Sequence, residues 1–413
     1  MGDDDQFVAR GEVLLDTLLT RIEAGKSPSA EDTPAGEGEW GVLKVSAVQA
    51  GRFASRENKV IRDTALIHPR YEVKHGDLLM TRANTEELVG LACVAENPPP
   101  RLLLSDKTLR LHVDKSAADP RFLQLVLTQR DLRQRVRALA TGTSAGMKNI
   151  GQEQIRQLGV PNVSLGEQRR IVAAHAAFER RIGALEGVRA KLEMARKAAV
   201  AQAITAAWKR GLAPLKDMLQ RVETGWSPVC EPRLPAADEW GVLKLSAVTT
   251  GSFREGEAKA LPPQIAPRLS LEVKPGDVLM SRANGVKSLV GVACTVERTR
   301  EGLLIPDLVF RLVVDKQKLD PQFLGVVLAS DELRRQINDA MRGSSGQYKI
   351  SQADVRELLV PSVALGEQRH AVATGAAFER RVTAVGQQIA KLRTIQQAMV
   401  EDLLTRRSTA NAS

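Results

Sequence analysis

The sequence predicts an α+β protein in which two α/β domains, in pseudo-twofold relation, are joined by two long helices forming an antiparallel coiled coil. Three observations predict it. The chain is written twice, each copy mixes short β-like runs with Gly and Pro punctuation, and each copy closes on a long stretch with heptad patterning.

The duplication has a period of 200 residues. EWGVLKVSAVQAGRF from Glu39 returns as EWGVLKLSAVTTGSF from Glu239; GDLLMTRAN from Gly76 as GDVLMSRAN from Gly276; GEQRRIVAAHAAFERR from Gly166 as GEQRHAVATGAAFERR from Gly366. Two copies are too few for a solenoid, so each should contain its own globule. Matched by identity, the register slips by one residue where GVKS replaces TEE after Asn84 and Asn284. It recovers near Lys349, leaving Asn149 without a counterpart. Loops tolerate such changes, which puts a surface loop after Asn84 and after Asn284.

The mixed parts span 1–160 and 211–360, with β-like runs GVLKVSAV, DLLMTR, LVGLACVAE and LRLHVD in the first. Asp119-Pro120 and Asp320-Pro321 each set an Asp cap before a Pro at a first helical position, predicting amphipathic helices through about Leu139 and Met341. The helical parts span 161–210 and 361–413. Their apolar seams run through Phe178, Ile182, Leu185 and Leu192, and through Phe378, Val382, Val385, Ile389, Leu392 and Met399. A helix of about 40 residues spans on the order of 60 Å, the length of a spacer. The two seams can satisfy each other within one chain; packing of each helix on its own globule, or pairing between two copies of the chain, are the alternatives.

With 413 residues the chain suits two or three domains, and its 43% hydrophobic and 26% charged residues are ordinary for folded protein. Lys and Arg outnumber Asp and Glu by 59 to 49, and the resulting charge of +10 favours a polyanionic partner. No run approaches the roughly 18 apolar residues that cross a bilayer, and the start, Met1-Gly2-Asp3-Asp4-Asp5, is acidic; no membrane partner and a cytoplasmic location are expected. Cys93, Cys230 and Cys294 form no zinc-type pair, and the first and last sit in matching apolar runs as buried thiols.

The residue patterns of catalysis are missing. A DNA methyltransferase needs a Gly-rich AdoMet loop and a motif whose aromatic stacks on a flipped base, but Asn97-Pro98-Pro99-Pro100 has no such aromatic. Glu72-Val73-Lys74 recurs as Glu272-Val273-Lys274 without a repeated upstream Asp, so it reads as a polar strand edge rather than a nuclease site. The five histidines keep no metal-ligand spacing. No catalytic residue, no metal and no resident cofactor are expected.

Reading duplex sequence needs cations and small polar groups on phosphates, with Arg, Lys, Asn or Gln on base edges. Arg82 and Asn84, with Arg282 and Asn284, follow a strand and open into the variable loop, which also carries Lys287. Their alternative is structural, with Arg82 and Arg282 pairing with Asp77 and Asp277. A second candidate is the stretch 141–148, TGTSAGMK, with Thr143, Ser144 and Lys148, and its partner 342–349, RGSSGQYK, with Ser344, Ser345 and Lys349; it reads either as a phosphate cradle or as a plain loop. Lys44 and Lys244, in the repeated GVLK, complete the candidate DNA-binding set. Aromatics make up 3% of the chain, too few for stacking platforms, which favours duplex over single strands.

At these residues the chain resembles the specificity subunits of type I restriction–modification systems. The stretch 141–171, with its echo at 343–371, and the Gly76-Asp77 and Gly276-Asp277 signatures carry the likeness. One departure stands in the family's usual Pro-Pro-Leu: only Pro161 and Pro361 match it. The resemblance implies two target recognition domains, each reading one half of a bipartite asymmetric site, with the helices setting the unread spacer. It also implies double-stranded DNA, two methylation subunits and two restriction subunits as partners, with AdoMet, ATP and Mg2+ held by those partners. The alternatives are recognition for another modification or phage-defence assembly, or a self-sufficient methyltransferase or nuclease.

Overall fold

The computed structural model describes residues 11–144, 147–343 and 346–410, with 143–144 and 404–410 described for backbone alone. It divides into two compact units, Met1–Leu185 with Gln388–Ser413, and Glu186–Gln387. Both boundaries fall inside long helices, so each unit is completed by helical segments from two places in the chain.

In the first unit the centre is a four-stranded antiparallel sheet ordered Leu19–Ala24, Thr108–Val113, Leu78–Thr81, Ala92–Val94. Side chains alternate across a strand, and here both sides are buried. Leu78, Met80, Leu109 and Leu111 face the helices, whereas Leu79 and Cys93 face a second sheet built from Leu102–Leu103, Gly41–Leu43 and Asn58–Val60. Burial on both faces is why Leu78–Thr81 reads as a continuous apolar run rather than an alternating one. It also pushes the Cys93 thiol up to about 12, and that of Cys294 in the second unit likewise, as expected of inert interior cysteines. A short antiparallel ladder of Glu12–Leu14 with Gly159–Pro161 ties the two ends of the mixed part together.

The helices of this unit are α1 (Pro120–Leu127), α2 (Arg130–Leu139), α3 (Gln152–Arg156) and the start of α4 (Leu165–Trp208). Asp119 caps α1 by accepting the Arg121 amide at 2.8 Å, with Pro120 at the first turn. The single helix expected from Pro120 to about Leu139 is two helices. Gln129 takes extended dihedrals, φ −67° and ψ 147°, and the bend lets Phe122, Leu123 and Val126 of α1 and Leu132 and Val136 of α2 enter one core.

The second unit repeats this arrangement. Its four-stranded sheet runs Leu219–Thr224, Val309–Val314, Val278–Ser281, Ala293–Thr295. Its helices are α5 (Pro321–Leu328), α6 (Asp331–Ala340), α7 (Gln352–Glu357) and the start of α8 (Leu365–Ala410). The helix expected to run to Met341 is again broken, at Ser330, whose hydroxyl caps α6 by accepting the Leu333 amide.

The heptad seams meet as an antiparallel pair. In the first unit Ile171 and Val172 near the start of α4 share a core with Met399, Val400 and Leu403 near the end of α8. In the second, Val200, Ile204 and Ala207 near the end of α4 share one with Ala371 and Val372 near the start of α8. Ile182, Leu185, Val382 and Ile389 are buried, and Phe178, Leu192, Phe378, Val385, Leu392 and Met399 half-buried. Val400 is buried more deeply than its neighbour Met399, so the apolar line at that end lies one residue further along. A polar pair sits in each seam. Gln396 donates to Glu179 at 2.6 Å, and the residues 200 positions away, Arg196 and Glu379, form an ion pair at 3.3 Å.

The repeated Gly-Glu-Gln-Arg owes its Gln to packing. The Gln168 amide is buried and accepts from Asp119 N at 2.9 Å while donating to the carbonyls of Ala117 and Val163 at 3.1 and 2.8 Å. Gln368 makes the same three bonds, to Asp320 N, Lys318 O and Val363 O. Each Gln therefore pins the root of a long helix to the cap of α1 or α5. Replacing Gln168 by Leu leaves three backbone groups unpaired, each costing about 1–3 kcal/mol when water cannot reach it. We expect a lower urea midpoint in unfolding followed by circular dichroism, and Gln168→Glu, which keeps an acceptor, to fall between.

Candidate nucleic-acid interface

The two candidate segments, about 60 positions apart in sequence, are strands of one small sheet in the first unit. Ala83–Asn84 pairs antiparallel with Met147–Asn149, with Lys148 opposite Asn84 and Asn149 opposite Ala83. Met147–Asn149 pairs in turn with Thr141–Ser144, and the Ile150 amide donates to the Arg82 carbonyl at 3.0 Å. Lys148 Nζ donates to Gly142 O at 3.1 Å. Gly142 has φ +146°, and a Cβ there would lie 2.4 Å from Met147 O, so only glycine allows the strands to approach. Arg82 is exposed, and among the described residues its guanidinium has no ion-pair partner. The Asn84 carboxamide oxygen accepts the Thr85 amide at 2.9 Å.

In the second unit Ala283–Asn284 pairs with Tyr348–Lys349, and Ile350 N donates to Arg282 O at 3.0 Å. The ladder corrects the match made by identity. Lys349 lies opposite Ala283, the place Asn149 takes in the first unit, and Tyr348 takes that of Lys148. A one-residue offset in a strand turns a side chain to the other face, so Lys148 and Lys349 are not equivalent. The missing residue belongs to the hairpin, not to the position of Asn149. Arg282 is half-buried, its guanidinium 5.6 Å from the Phe310 ring centroid, and Asn284 accepts the Val286 amide at 2.9 Å. Lys287 is exposed at the start of a one-turn helix, Lys287–Leu289.

The alternative that Arg82 and Arg282 pair with Asp77 and Asp277 is not realised. Those carboxylates are taken by the buried Arg110 at 3.1 Å and Arg311 at 3.2 Å, which also face Glu23 and Glu223. Lys44 lies away from the ladder, beside the strand Gly41–Leu43. Its ammonium is 2.7 Å from Asp32, whose carboxyl it holds below the usual range while its own pKa is raised. Lys244 sits in the same place, and among the described residues its ion-pair partner is Glu257, at 3.7 Å. The side chains of Thr143 and Ser144 lie outside the described residues, as do Ser344 and Ser345 altogether.

A second set of residues, not singled out from the sequence, holds the variable loop in shape. Thr81, buried, donates its hydroxyl to Leu88 O at 2.7 Å and accepts the Leu91 amide at 2.9 Å. From α2, the buried Arg133 donates to Val89 O at 2.7 Å and to Glu87 O at 3.0 Å. Burial pulls the pKa of Arg133 below its ordinary value, with Arg137 adding to the shift. Arg334 of α6 repeats the clamp on Val290 O at 2.7 Å, and the Ser281 hydroxyl donates to Leu289 O. The signal was in the sequence, since Leu132-Arg133 and Leu333-Arg334 each put an Arg on the apolar side of an amphipathic helix. Among the described residues no group of three or more His, Cys, Asp or Glu could hold a metal ion, and no helix is long and apolar enough to cross a membrane.

No family model matches the chain. It is 30% identical over 162 residues to the type I restriction enzyme EcoEI specificity subunit of Escherichia coli. That stretch is 39% of this chain and 27% of the relative, so just over a quarter of the relative's length is matched. In fold it is similar to the S subunit of the type I restriction–modification system from M. genitalium, with a TM-score of 0.52, 14% identity, and 98% of this chain and 99% of that one covered. It is also similar to the HsdS subunit from Thermoanaerobacter tengcongensis, with a TM-score of 0.52, 17% identity and 97% and 98% coverage. The resemblance read from the sequence is borne out, and the fold is that of these subunits across nearly the whole chain.

The Arg133 clamp makes a local prediction. Arg133→Met keeps the apolar stem but removes both charged donors, which should cost about 1.5–3 kcal/mol and free loop 85–90. Hydrogen exchange should quicken at 85–90 and stay unchanged at 285–291; Arg334→Met should give the reverse.

Proposed function

Since the chain has the fold of type I specificity subunits, we propose that it is the DNA-reading subunit of a type I restriction–modification complex, each unit reading one half of a bipartite asymmetric duplex site. One observation carries the reading. Two separate segments, each suited to DNA by its side chains, share one ladder, and the same ladder recurs in the second unit with different residues at its tip. A scaffold repeated with altered tips suits two half-sites of different sequence.

Arg82 and Arg282 serve as base-edge readers, since Arg can grip guanine in bidentate fashion, and Asn84 and Asn284 orient the loop that follows. Lys148, Lys349 and Lys287 supply phosphate contacts, which position the protein without reading sequence. The paired helices α4 and α8 fix the unread spacer and offer docking surface to methylation subunits, two per complex, with two restriction subunits completing the assembly. Methyl transfer and cleavage, with AdoMet, ATP and Mg2+, belong to those partners, and this chain supplies no reacting group.

Adenine methylation mapped across a host genome, with and without this gene, should reveal one split motif that depends on the gene. Arg82→Ala should relax preference at one base pair of a single half-site, a loss of about 1–3 kcal/mol of discrimination, and leave the other half-site unchanged. In fluorescence-anisotropy titrations Lys148→Ala should weaken binding to every duplex alike and flatten the log-log salt slope by about 0.9. If Arg82→Ala behaves as Lys148→Ala does, Arg82 contacts the backbone and not a base.

A further inference from the structure

The two units differ most plainly in how they neutralise one pair of lysines. In the first, Lys44 and Lys59 both reach a single carboxylate oxygen of Asp32, at 2.7 and 3.6 Å. The equivalent lysines of the second unit are Lys244 and Lys259, on the same two paired strands, Gly241–Leu243 and Ala258–Ala260. The residue equivalent to Asp32 is Pro232: Glu31 and Glu231, one position earlier, make the same backbone bond, to Val60 O and Ala260 O. Lys259 is exposed and has no ion-pair partner among the described residues, and Lys244 has only Glu257, whose carboxylate also takes the Ser246 hydroxyl at 2.7 Å.

This loss of an acid is not general drift, because a neighbouring ion cluster has been rebuilt. Glu31 and Glu39 are bound by Arg62 in the first unit. In the second Arg62 becomes Pro262, yet Glu231 and Glu239 are still bound, by Arg233, which stands where the first unit has Thr33. The acid pair keeps a cation, supplied from a different segment of the chain. The lysine pair is given no replacement acid.

Lys244 and Lys259 both line a cavity of about 240 Å³ whose walls include Cys230, Pro306 and Leu308. Ser227, which also lines it, is held by Asp307, so the two lysines are the cationic residues of its lining. The cavity adjoins the candidate base reader, for the Arg282 amide donates to Leu308 O at 2.8 Å. In the first unit Arg82 has the same bond to Lys107 O, so there an exposed lysine occupies the place of Leu308.

We propose that Lys244 and Lys259 form a binding site for a DNA backbone phosphate in the second unit, and that Asp32 closes the equivalent place in the first unit to anions. This rests on the reading of the chain as a duplex-DNA binder. Two lysines line one hollow with a single carboxylate beside them, Glu257 at 3.7 Å from Lys244, and the positive charge left over favours an anion of tetrahedral size, which a backbone beside Arg282 presents. The two half-sites are therefore gripped unequally.

The test is the salt slope of the full chain on a pool of random duplexes. Lys259→Ala should flatten it by about one unit and weaken all sequences alike. Pro232→Asp, which restores the acid and keeps both lysines, should do the same. Lys59→Ala should leave the slope as it is, and Asp32→Asn should steepen it. The proposal is overturned, with the DNA reading intact, if Lys259→Ala and Pro232→Asp are both silent while Lys148→Ala flattens the slope. It is overturned too if Pro232→Asp abolishes 31P line broadening of inorganic phosphate but not the duplex effect, which assigns the cavity to free anion. No duplex binding by the unaltered chain removes the reading itself.

Discussion

The ladder between Ala83–Asn84 and Met147–Asn149 is the constraint on which the candidate interface depends. A two-residue strand has no stability of its own, and its shape comes from what it is bonded to. On one side it continues from Leu78–Thr81, an inner strand of the buried sheet; on the other it is bonded to a hairpin that leads through Ile150 into α3. Exposed side chains at the tip therefore inherit the rigidity of two core elements. The buried Thr81 hydroxyl and the Arg133 guanidinium extend that order into the loop by holding its carbonyls, so that polar recognition groups are free to face outward while the backbone beneath them is satisfied.

The same scaffold appears in both units, but its charges are distributed differently. Buried ion pairs are kept in kind: Arg110 and Arg311 both lie between a Glu and an Asp. A buried charge that loses its partner is expensive, so these positions tolerate little change. Exposed clusters carry no such penalty, and there the units diverge, with Arg62 and Arg233 binding equivalent acid pairs from different segments of the chain and Asp32 giving way to Pro232. Divergence concentrated at exposed charges over a constant interior is what altered specificity on one architecture requires.

The long helices illustrate how a seam is specified by more than its apolar positions. Start packs with end in each unit, which the matching heptads alone allow but do not demand. Polar pairs at equivalent positions, Gln396 with Glu179 and Arg196 with Glu379, couple the register to hydrogen bonding and to charge. The Gln168 and Gln368 amides then anchor the helix roots to the caps of α1 and α5, so that helix direction is tied to the mixed part of each unit.

By itself the sequence determined the duplication, the α+β class, the heptad helices, the Asp-Pro helix starts and the absence of a recognisable catalytic motif. All of these are local or periodic signals, legible because side-chain spacing along the chain maps directly onto a helix face or a strand face. It also picked out 82–84 and 141–148 as candidates, on residue type alone. What the tertiary structure decided is that the two stretches are one site, that Asp77 belongs to Arg110 and not to Arg82, that Lys349 stands in the place of Asn149, and that Lys44 is neutralised by Asp32 while Lys244 meets Glu257 at a longer distance. Each of these turns on which residues far apart in sequence come within a few ångströms, and on strand register, where a shift of one residue changes the face; neither is encoded in spacing along the chain.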